Sequence, residues 1–423
     1  MSMGGANLPL SPGMRTARGY LGWFLLLATL LLLVPHMTKV LVWANKEGKF
    51  PIKPRDYNIA AASIVLLLVL LRRPAFCLPA LALLTVPVLR ILDAALLKRY
   101  QVIGVIDDHD LFVLNISSSL LISVCAVLCL TAANGMKIVQ WVAVATILVV
   151  AGSIYYEALG LEKFTTIPGR MAGFLDDPNA GPIHICLMLG ILFTLQTRFW
   201  WNVALIGFST PAVALTFSRS GMSVFAFMVA VYLLVHFRRN FVTILLLGLI
   251  AIPVLIGGVA TLQAVSRQGI VKDTNTESRF QAIYELDFDR LGSQERAKDL
   301  LDGWEAVCQR PIVGYGTGSG SSEWQPHNQV VSVWLDLGLS GVVLYLASLL
   351  LVSLQSLRRG LRGFFCMMPV WLFIPCSQTL LDTPAYWLSA AVACHVAFSG
   401  RFQLLLSSAK AAQANGPRPA TAS

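Results

Sequence analysis

The chain has 423 residues, of which 56% are hydrophobic and only 13% are charged. This composition contains more apolar surface than one water-soluble core can bury, so it excludes a soluble globular protein and predicts a polytopic membrane protein. The net charge of +10 does not indicate nucleic-acid binding, because the basic residues are scattered between apolar runs and form no single solvated face.

Apolar runs long enough to cross a bilayer follow one another along most of the chain. They predict an all-α fold with about twelve transmembrane helices, at 19–44, 58–71, 75–97, 111–131, 137–158, 181–197, 199–217, 221–237, 241–263, 329–357, 364–381 and 385–405. The first run follows Arg15 and Arg18, as the apolar part of a signal peptide would. No small-residue cleavage site comes after it, so we expect this helix to be retained.

The predicted spans divide the chain into five segments. These are an N-terminus at 1–18, spans one to nine within 19–263, a large and mostly helical external loop at 264–327, spans ten to twelve within 328–405, and a disordered tail at 406–423. The termini and one set of connections carry 14 basic residues and no acid, which the positive-inside rule assigns to the cytoplasm. The 264–327 loop is therefore expected on the opposite side of the membrane.

Two helices are predicted in the external loop. Residues 293–310 repeat apolar side chains on one helical face, and Pro311 ends the helix. The apolar residues are Ala297, Leu300, Leu301, Trp304, Val307 and Cys308. This face is expected to lie on the membrane surface or to cover the mouth of a cavity, as part of a lid-like pair with a shorter helix at 277–286.

Four alternating glycines follow this helix: Gly314, Gly316, Gly318 and Gly320. Such a series can turn sharply and present its backbone N–H groups, as a nucleotide-binding loop does. A dinucleotide fingerprint also requires a preceding strand and a βαβ unit, which the sequence does not predict here. We therefore favour a glycine-rich turn that shapes a polar pocket.

His327 and Asn328 stand where the external loop re-enters the membrane, directly before the tenth predicted span. A single interfacial histidine is more often structural than catalytic. An imidazole nevertheless titrates near neutral pH and can accept a proton from a hydroxyl group, so His327 is the candidate general base.

Arginines form the second group of candidates. Five map to the external side: Arg170, Arg219, Arg279, Arg296 and Arg310. The guanidinium group binds phosphate through two hydrogen bonds and keeps its charge, so these residues could hold a phosphate-bearing ligand at the membrane surface. For Arg219, in a tight turn between two spans, a snorkelling interfacial side chain is an equally good interpretation.

Two acidic patterns could bind a divalent cation through oxygen ligands. They are Asp287-Phe-Asp289 and Asp107-Asp108-His109-Asp110. Both patterns are short and common, so we interpret them as solvated acids that neutralise nearby arginines. We expect the site to contain no metal and no cofactor.

From about Arg170 to Tyr345 the chain resembles the O-antigen ligase and polymerase superfamily of bacterial membrane glycosyltransferases. The similarity rests on motifs that occur in order: Arg170-Met-Ala-Gly-Phe-Leu-Asp-Asp-Pro178-Asn179, Phe217-Ser-Arg219-Ser-Gly221, Arg296 with Trp304, Pro311-Ile-Val-Gly314-Tyr-Gly316, Pro326-His327-Asn328 and Asp336-Leu-Gly338-Leu-Ser-Gly341. The twelve spans and the single long loop are most similar to the O-antigen ligase branch.

This resemblance implies an enzyme of the bacterial inner membrane whose active site, in the 264–327 loop, faces the periplasm. It would transfer a glycan en bloc from undecaprenyl pyrophosphate to a hydroxyl of the lipid A core oligosaccharide, with inversion and without metal. The implied roles are general base for His327, donor pyrophosphate binding for Arg170, Arg219, Arg279 and Arg296, and pocket support for Asn179, Gly314, Gly316 and Asn328. The resemblance does not fix an oligomeric state.

Two alternatives stay open. One is an O-antigen or exopolysaccharide polymerase of the same superfamily. The other is a transporter of an anionic lipid-linked substrate, which would use charges within the spans, such as Arg90, Asp93, Glu157 and Asp336.

The first external loop is unusually basic. It contains Lys46, Lys49, Lys53 and Arg55. That charge would suit a phosphorylated lipopolysaccharide acceptor.

Overall fold

The computed structural model describes two nearly continuous regions and several separated positions. These are residues 135–237 except 166, 168, 196 and 197, residues 294–396 except 323 and 359, the shorter run 33–49 with other positions between 23 and 93, and residues 240 and 241. Within these residues the regular elements are helices, in agreement with the predicted all-α fold.

Nine helices are named in chain order, and helical residues are also described at 33–38 and 88–93. The nine are α1 (Val40–Lys46), α2 (Gly135–Ala158), α3 (Ala180–Thr194), α4 (Phe199–Leu215), α5 (Arg219–Phe237), α6 (Gln294–Gln309), α7 (Gln329–Arg358), α8 (Met368–Phe373) and α9 (384–396). Short 3₁₀ helices occur at Gly173–Leu175, Ile374–Cys376 and Leu380–Asp382, and single α-helical turns at Ser319–Ser322 and Leu361–Phe364.

Helices α2, α5 and α7 are long and apolar enough to cross a membrane, whereas α3 and α4 are shorter apolar helices. These five helices match the spans predicted at 137–158, 181–197, 199–217, 221–237 and 329–357. The total of twelve stays a prediction, because the span at 111–131 and most of those at 58–71, 75–97 and 241–263 lie outside the described residues. The predicted N-terminus at 1–18 and tail at 406–423 lie outside them too.

The helix predicted at 364–381 is not continuous. Helix α8 ends at Phe373, and a 3₁₀ turn and an irregular segment lead to a second 3₁₀ turn at Leu380–Asp382. Pro375 has no backbone N–H to donate to the preceding turn, so the sequence itself disfavours a helix through this point. The irregular segment brings Gln378 and Asp382 to the end of the molecule where the candidate site lies.

Helix α3 lies at the centre of the packing. Its residues from Gly181 to Thr194 are all buried, and its apolar character is almost uniform around the axis, as expected for a helix with neighbours on every side. At Gly190 a Cβ atom would lie 2.6 Å from the Phe365 carbonyl oxygen, so glycine permits a close approach of the two backbones. By contrast, α5 and α7 expose large apolar residues such as Leu234 and Val343, as helices that face lipid do.

Helix α7 is interrupted at Gly338, whose φ of 67° and ψ of −163° are accessible mainly to glycine. The break frees the Leu335 and Asp336 carbonyl oxygens, which accept hydrogen bonds from the N–H groups of Tyr315 (2.6 Å) and Gly316 (3.0 Å). The Leu339 N–H donates to the Pro311 carbonyl oxygen at 2.9 Å. The segment after α6 is thereby attached to the break in α7.

Basic residues and site residues occupy opposite ends of the same helices. Lys137 lies near the start of α2 and Glu157 near its end, while α7 runs from next to His327 to Arg358. The described helices are thus compatible with the charge separation that predicts the topology. Which end faces the periplasm stays a prediction.

Candidate functional site

Glu157, near the end of α2, determines the path of the connection to α3. One of its carboxylate oxygens accepts hydrogen bonds from the N–H groups of Phe164 (2.8 Å) and Thr165 (2.9 Å). The other oxygen accepts from Ala172 (2.7 Å) and Gly173 (2.9 Å). The residue is only 5% exposed, and four N–H donors offset the cost of burying its charge. This carboxylate therefore fixes the segment that carries Arg170.

Arg170 joins two of the sequence motifs. Its Nε donates to the Thr216 carbonyl oxygen at 2.9 Å, and its Nη2 donates to Asn179 Oδ1 at 3.0 Å. The same Asn179 oxygen accepts from the Ser218 hydroxyl at 3.0 Å, while the Asn179 amide donates to Asp177. Arg170 and Asn179 thus connect the loop before α3 to the turn between α4 and α5.

That turn presents Arg219 and Ser220 at the start of α5. Phe217 adopts a left-handed backbone conformation with a φ of 47°, and the Ser218 hydroxyl accepts a hydrogen bond from the Gly221 N–H at 3.3 Å. Arg219 is partly exposed. The neighbouring Ser220 hydroxyl contacts the Cys376 thiol. The positive charge of Arg296 also acts electrostatically on this thiol. Ser220 and Arg296 therefore approach Cys376 from different helices.

His327 lies at the entrance to α7 in a left-handed conformation, with a φ of 48°. Histidine is one of the few residues other than glycine that tolerates this region. Its backbone N–H donates to Gln378 Oε1 at 2.8 Å. Asn328 caps α7, because its Oδ1 accepts from the N–H groups of Val330 (2.9 Å) and Val331 (3.2 Å). These contacts fix the backbone that carries the imidazole, and about a third of the His327 side chain (32%) is exposed.

Charged residues from two other segments act on this imidazole. Its Nε2 atom lies 3.8 Å from Asp299 Oδ2 of α6. Partial burial and the nearby Arg296 guanidinium lower the pKa of His327 below its ordinary 6.5, while Asp299 and Asp177 oppose that change. A lowered pKa favours the neutral form of the His327 imidazole at neutral pH, and one nitrogen of a neutral imidazole can accept a proton.

The alternating glycines have their N–H groups engaged within the protein. The Asp336 carboxylate Oδ1 accepts from Gly318 (3.1 Å) and Gly320 (3.0 Å), and Asp93 accepts from Thr317 at 3.1 Å. The N–H groups of the other residues in the 314–320 loop donate to backbone carbonyl oxygens. The loop is thus a turn whose N–H groups bind the protein's own acids, and it is not an open cradle for phosphate.

The in-span charges considered for transport contact other parts of the protein. Arg90 Nε lies 3.2 Å from Asp336 Oδ2, and its Nη1 lies 2.6 Å from Asp382 Oδ1. Asp93 and Glu157 accept the backbone hydrogen bonds described above. These contacts give the four charges a structural role, since they bind together segments that are distant in the sequence.

Two lysines of the basic first external loop form ion pairs. Lys46 lies 2.9 Å from Asp176, and Lys49 lies 3.7 Å from Glu162 and above the ring of Trp43. The pairs join this loop to the connection before α3. The predicted role of these lysines in acceptor binding therefore competes with contacts inside the protein.

Helix α6 has the predicted bounds within one residue, and the side that it packs against α7 is mostly separate from the predicted apolar face. Gly303, Ala306 and Val307 pack towards α7, where Val331 and Leu335 complete a small apolar cluster. Of the residues on the predicted apolar face, Val307 is buried, and the others are exposed: Ala297, Leu300, Leu301, Trp304 and Cys308. Small side chains allow the close contact with α7, so the larger ones point outwards.

Several candidates lie outside the described residues. They are Arg279, the helix at 277–286, the Asp287 and Asp289 pair and the acidic cluster at 107–110. Conversely, sequence reasoning missed Asp299, Asp177 and Gln378 as neighbours of His327. Asp299 follows Arg296 by three residues, which on a helix places the two on one face and could have revealed it.

Residues 204–346 match the family model described as O-antigen ligase. The matched segment, about a third of the chain, contains Arg219, Arg296 and His327. No curated protein matches the chain. The match agrees with the resemblance carried by the motifs from Phe217 to Gly341, whereas the motif at 170–179 lies before the matched residues.

Proposed function

We propose that the protein is an O-antigen ligase of the bacterial inner membrane. It transfers a glycan from undecaprenyl pyrophosphate to a hydroxyl of the lipid A core oligosaccharide on the periplasmic face. The observation that carries this proposal is that the partly exposed His327 imidazole and the charge of Arg296, which acts on it, both lie within the matched segment. The Arg296 guanidinium can stabilise an anionic leaving group, and the His327 imidazole can accept the proton of a hydroxyl group.

On the donor side, arginines stabilise the departing pyrophosphate. When the bond between the anomeric carbon and the phosphate oxygen breaks, the electron pair leaves with undecaprenyl pyrophosphate, and negative charge grows on that group. Guanidinium groups of Arg219, Arg296 and the predicted Arg279 supply fixed positive charge and pairs of donors there. Because these groups provide the positive charge, the proposed reaction needs no metal ion or cofactor.

On the acceptor side, His327 removes the proton from the attacking hydroxyl. The acceptor oxygen forms a bond to the anomeric carbon from the face opposite the leaving group, so the configuration inverts. Asp299 faces Nε2 of His327 and favours a proton on that nitrogen, which leaves Nδ1 as the acceptor of the hydroxyl proton. The lid-like position of α6 beside His327 limits the access of water, which would otherwise hydrolyse the donor.

In this proposal the remaining predicted site residues do not contact the substrates, and they position the residues that do. Arg170 and Asn179 set the turn that presents Arg219, and Asn328 caps α7 beside His327. Gly314 and Gly316 attach the segment after α6 to the break in α7. The buried contacts of Arg170 favour this positioning role over direct contact with pyrophosphate.

Reconstitution of the purified protein would test the proposal and separate it from polymerase activity. The protein is supplied with undecaprenyl-pyrophosphate-linked glycan and lipid A core acceptor, in the presence of a metal chelator. A ligase forms glycosylated lipid A core, whereas a polymerase lengthens the glycan on its lipid carrier. Consumption of neither substrate, or activity that requires added Mg²⁺ or Mn²⁺, would contradict the proposal.

A further inference from the structure

Helix α6 and the segment after it expose a group of large apolar side chains. Leu301 is 66% exposed, Trp304 47%, Ile312 72% and Val313 55%. We call these four residues the outer patch. Side chains of this size are costly to leave in water, and an exposed group of them marks a surface that contacts another apolar phase.

The outer patch is continuous with the apolar outer side of α7. The Pro311 carbonyl oxygen accepts hydrogen bonds from the Leu339 N–H (2.9 Å) and from Trp334 Nε1 (2.8 Å). The Trp304 ring packs edge-to-face on the Trp334 ring, with 5.6 Å between the centroids. Leu339 and Val343 are themselves exposed on α7, a helix long and apolar enough to span a bilayer. The patch therefore extends a surface that contacts acyl chains.

The length of α7 gives the depth of this surface. Within α7, Arg358 follows Gly338 by twenty residues. At ~1.5 Å per residue this distance is about 30 Å, the thickness of the hydrocarbon core. If the basic cluster at Arg358 marks one boundary of the core, Gly338 marks the other. Ile312 and Val313 beside Gly338 then lie at that boundary, and Trp304 lies slightly further out, at the level where tryptophan is enriched.

We propose that the outer patch inserts into the bilayer leaflet on the His327 side, at the boundary between acyl chains and head groups. Helix α6 is then an interfacial helix with two functional sides. Its apolar side lies in lipid, while Arg296 and Asp299 face His327. The bilayer holds the helix that carries these two charges at a fixed depth. This proposal does not depend on the activity proposed above.

Site-directed spin labelling in lipid nanodiscs tests the proposal. The full-length protein carries Cys308→Ala, which removes the exposed native thiol on α6, and background labelling of this protein is subtracted. Leu301→Cys reports on the outer patch, and Asp302→Cys, also exposed and next to it on the same helix, is the matched control. Val343→Cys on α7 is the reference for lipid contact, and Ile312→Cys is a second probe of the patch if Leu301→Cys does not fold.

The measurement is the accessibility of each label to oxygen, which concentrates in lipid, and to a water-soluble nickel chelate. We expect the labels at 301 and 312 to resemble that at 343, with oxygen favoured several-fold over nickel, and the label at 302 to favour nickel. Equal access of nickel to 301 and 302 would place α6 in water and overturn the proposal. Low access of both reagents to 301 would mean that protein, such as a second copy of the chain, covers the patch, and would overturn it as well.

Discussion

The Nε2 atom of His327 lies 3.8 Å from the Oδ2 atom of Asp299. The two residues belong to different elements, the entrance of α7 and the exposed helix α6, which pack through Ala306, Val307 and Leu335. The distance between imidazole and carboxylate therefore depends on that helix packing. Only a small movement of α6 would be needed to shorten this distance to a hydrogen bond, and such tightening is common when a substrate completes an active site.

Asp299→Asn should move the pH dependence of transfer. The Asp299 charge raises the pKa of His327 against the effects of burial and Arg296, so its removal lowers that pKa further. The acid limb of kcat/KM should shift to lower pH, and the rate at neutral pH should fall because the base is weaker. Asp302→Asn, on the same helix and exposed, is the control and should leave the profile unchanged. A profile for Asp299→Asn that coincides with the wild-type profile would remove Asp299 from the mechanism.

Arg219→Lys should impair transfer although it keeps the positive charge. A pyrophosphate leaving group needs the paired donors of a guanidinium, which an ammonium group does not provide. We expect a loss on the order of 10²-fold in kcat/KM, the scale of removing one donor that stabilises developing charge. Arg310→Lys is the matched control, because Arg310 stacks on the Tyr315 ring at 4.8 Å and has no proposed part in the reaction. Similar transfer rates for Arg219→Lys and Arg310→Lys would show that Arg219 is an interfacial side chain with no part in the reaction.

Glu157→Gln should lower both stability and donor binding. The amide nitrogen of glutamine cannot accept a hydrogen bond, so two of the four backbone N–H groups lose their acceptor. We expect a destabilisation of about 2–4 kcal/mol, from the usual cost of buried donors left without a partner. The loosened loop carries Arg170, so KM for the donor should rise more than kcat falls.

The control for this variant is Glu162→Gln, whose ion pair with Lys49 is at the surface and 3.7 Å long. Such pairs contribute little to stability, at most about 1 kcal/mol. Thermal unfolding in detergent and donor titration measure the two effects. Equal melting temperatures for the two variants would show that the Glu157 carboxylate is not needed to hold the loop.

Gly338→Ala should prevent the segment after α6 from binding to α7. A Cβ at this position would lie 2.1 Å from the Ile312 carbonyl oxygen, and the backbone conformation disfavours any side chain. We expect poor folding and loss of the contact that places α6 near His327. Gly207→Ala in α4 is the control, since a Cβ there meets nothing within 4 Å and alanine favours the helix. Normal yield and activity of Gly338→Ala would contradict the role assigned to the break.

The helices are the part of the fold that could be predicted from sequence. Long apolar runs predict α2, α5 and α7 because hydrophobic length is a local property of the chain. The bounds of α6 follow from its periodicity and from Pro311, which ends it. The packing of α6 on α7 could not be predicted in this way, because Gly303 and Ala306 contact α7 through their small size and hydrophobic periodicity does not single them out.

The sequence predicts which residues belong to the candidate site, but it does not predict which side chains and backbone groups contact one another there. His327, Arg219 and Arg296 are separated by long stretches of chain, and motif order indicates that they belong together. The partners of these residues depend on tertiary contacts with no local signal. Gln378 meets His327 because the expected helix breaks after Phe373, and the glycine N–H groups meet Asp336 because α7 breaks at Gly338.

The variant His327→Asn tests most directly whether His327 accepts the proton of the acceptor hydroxyl. Asparagine tolerates the left-handed backbone at this position but cannot act as a base near neutral pH, so the variant should fold and bind undecaprenyl-pyrophosphate-linked glycan like the wild type. The measurement is the transfer rate as a function of pH in nanodiscs, with donor binding determined on the same samples. We predict a loss of roughly 10²–10⁴-fold in transfer. The wild-type rate should fall only below pH 6.5, since the pKa of His327 is lowered, and the variant should lack this decrease. Full transfer by His327→Asn, or a loss of donor binding as large as the loss of activity, would contradict the account.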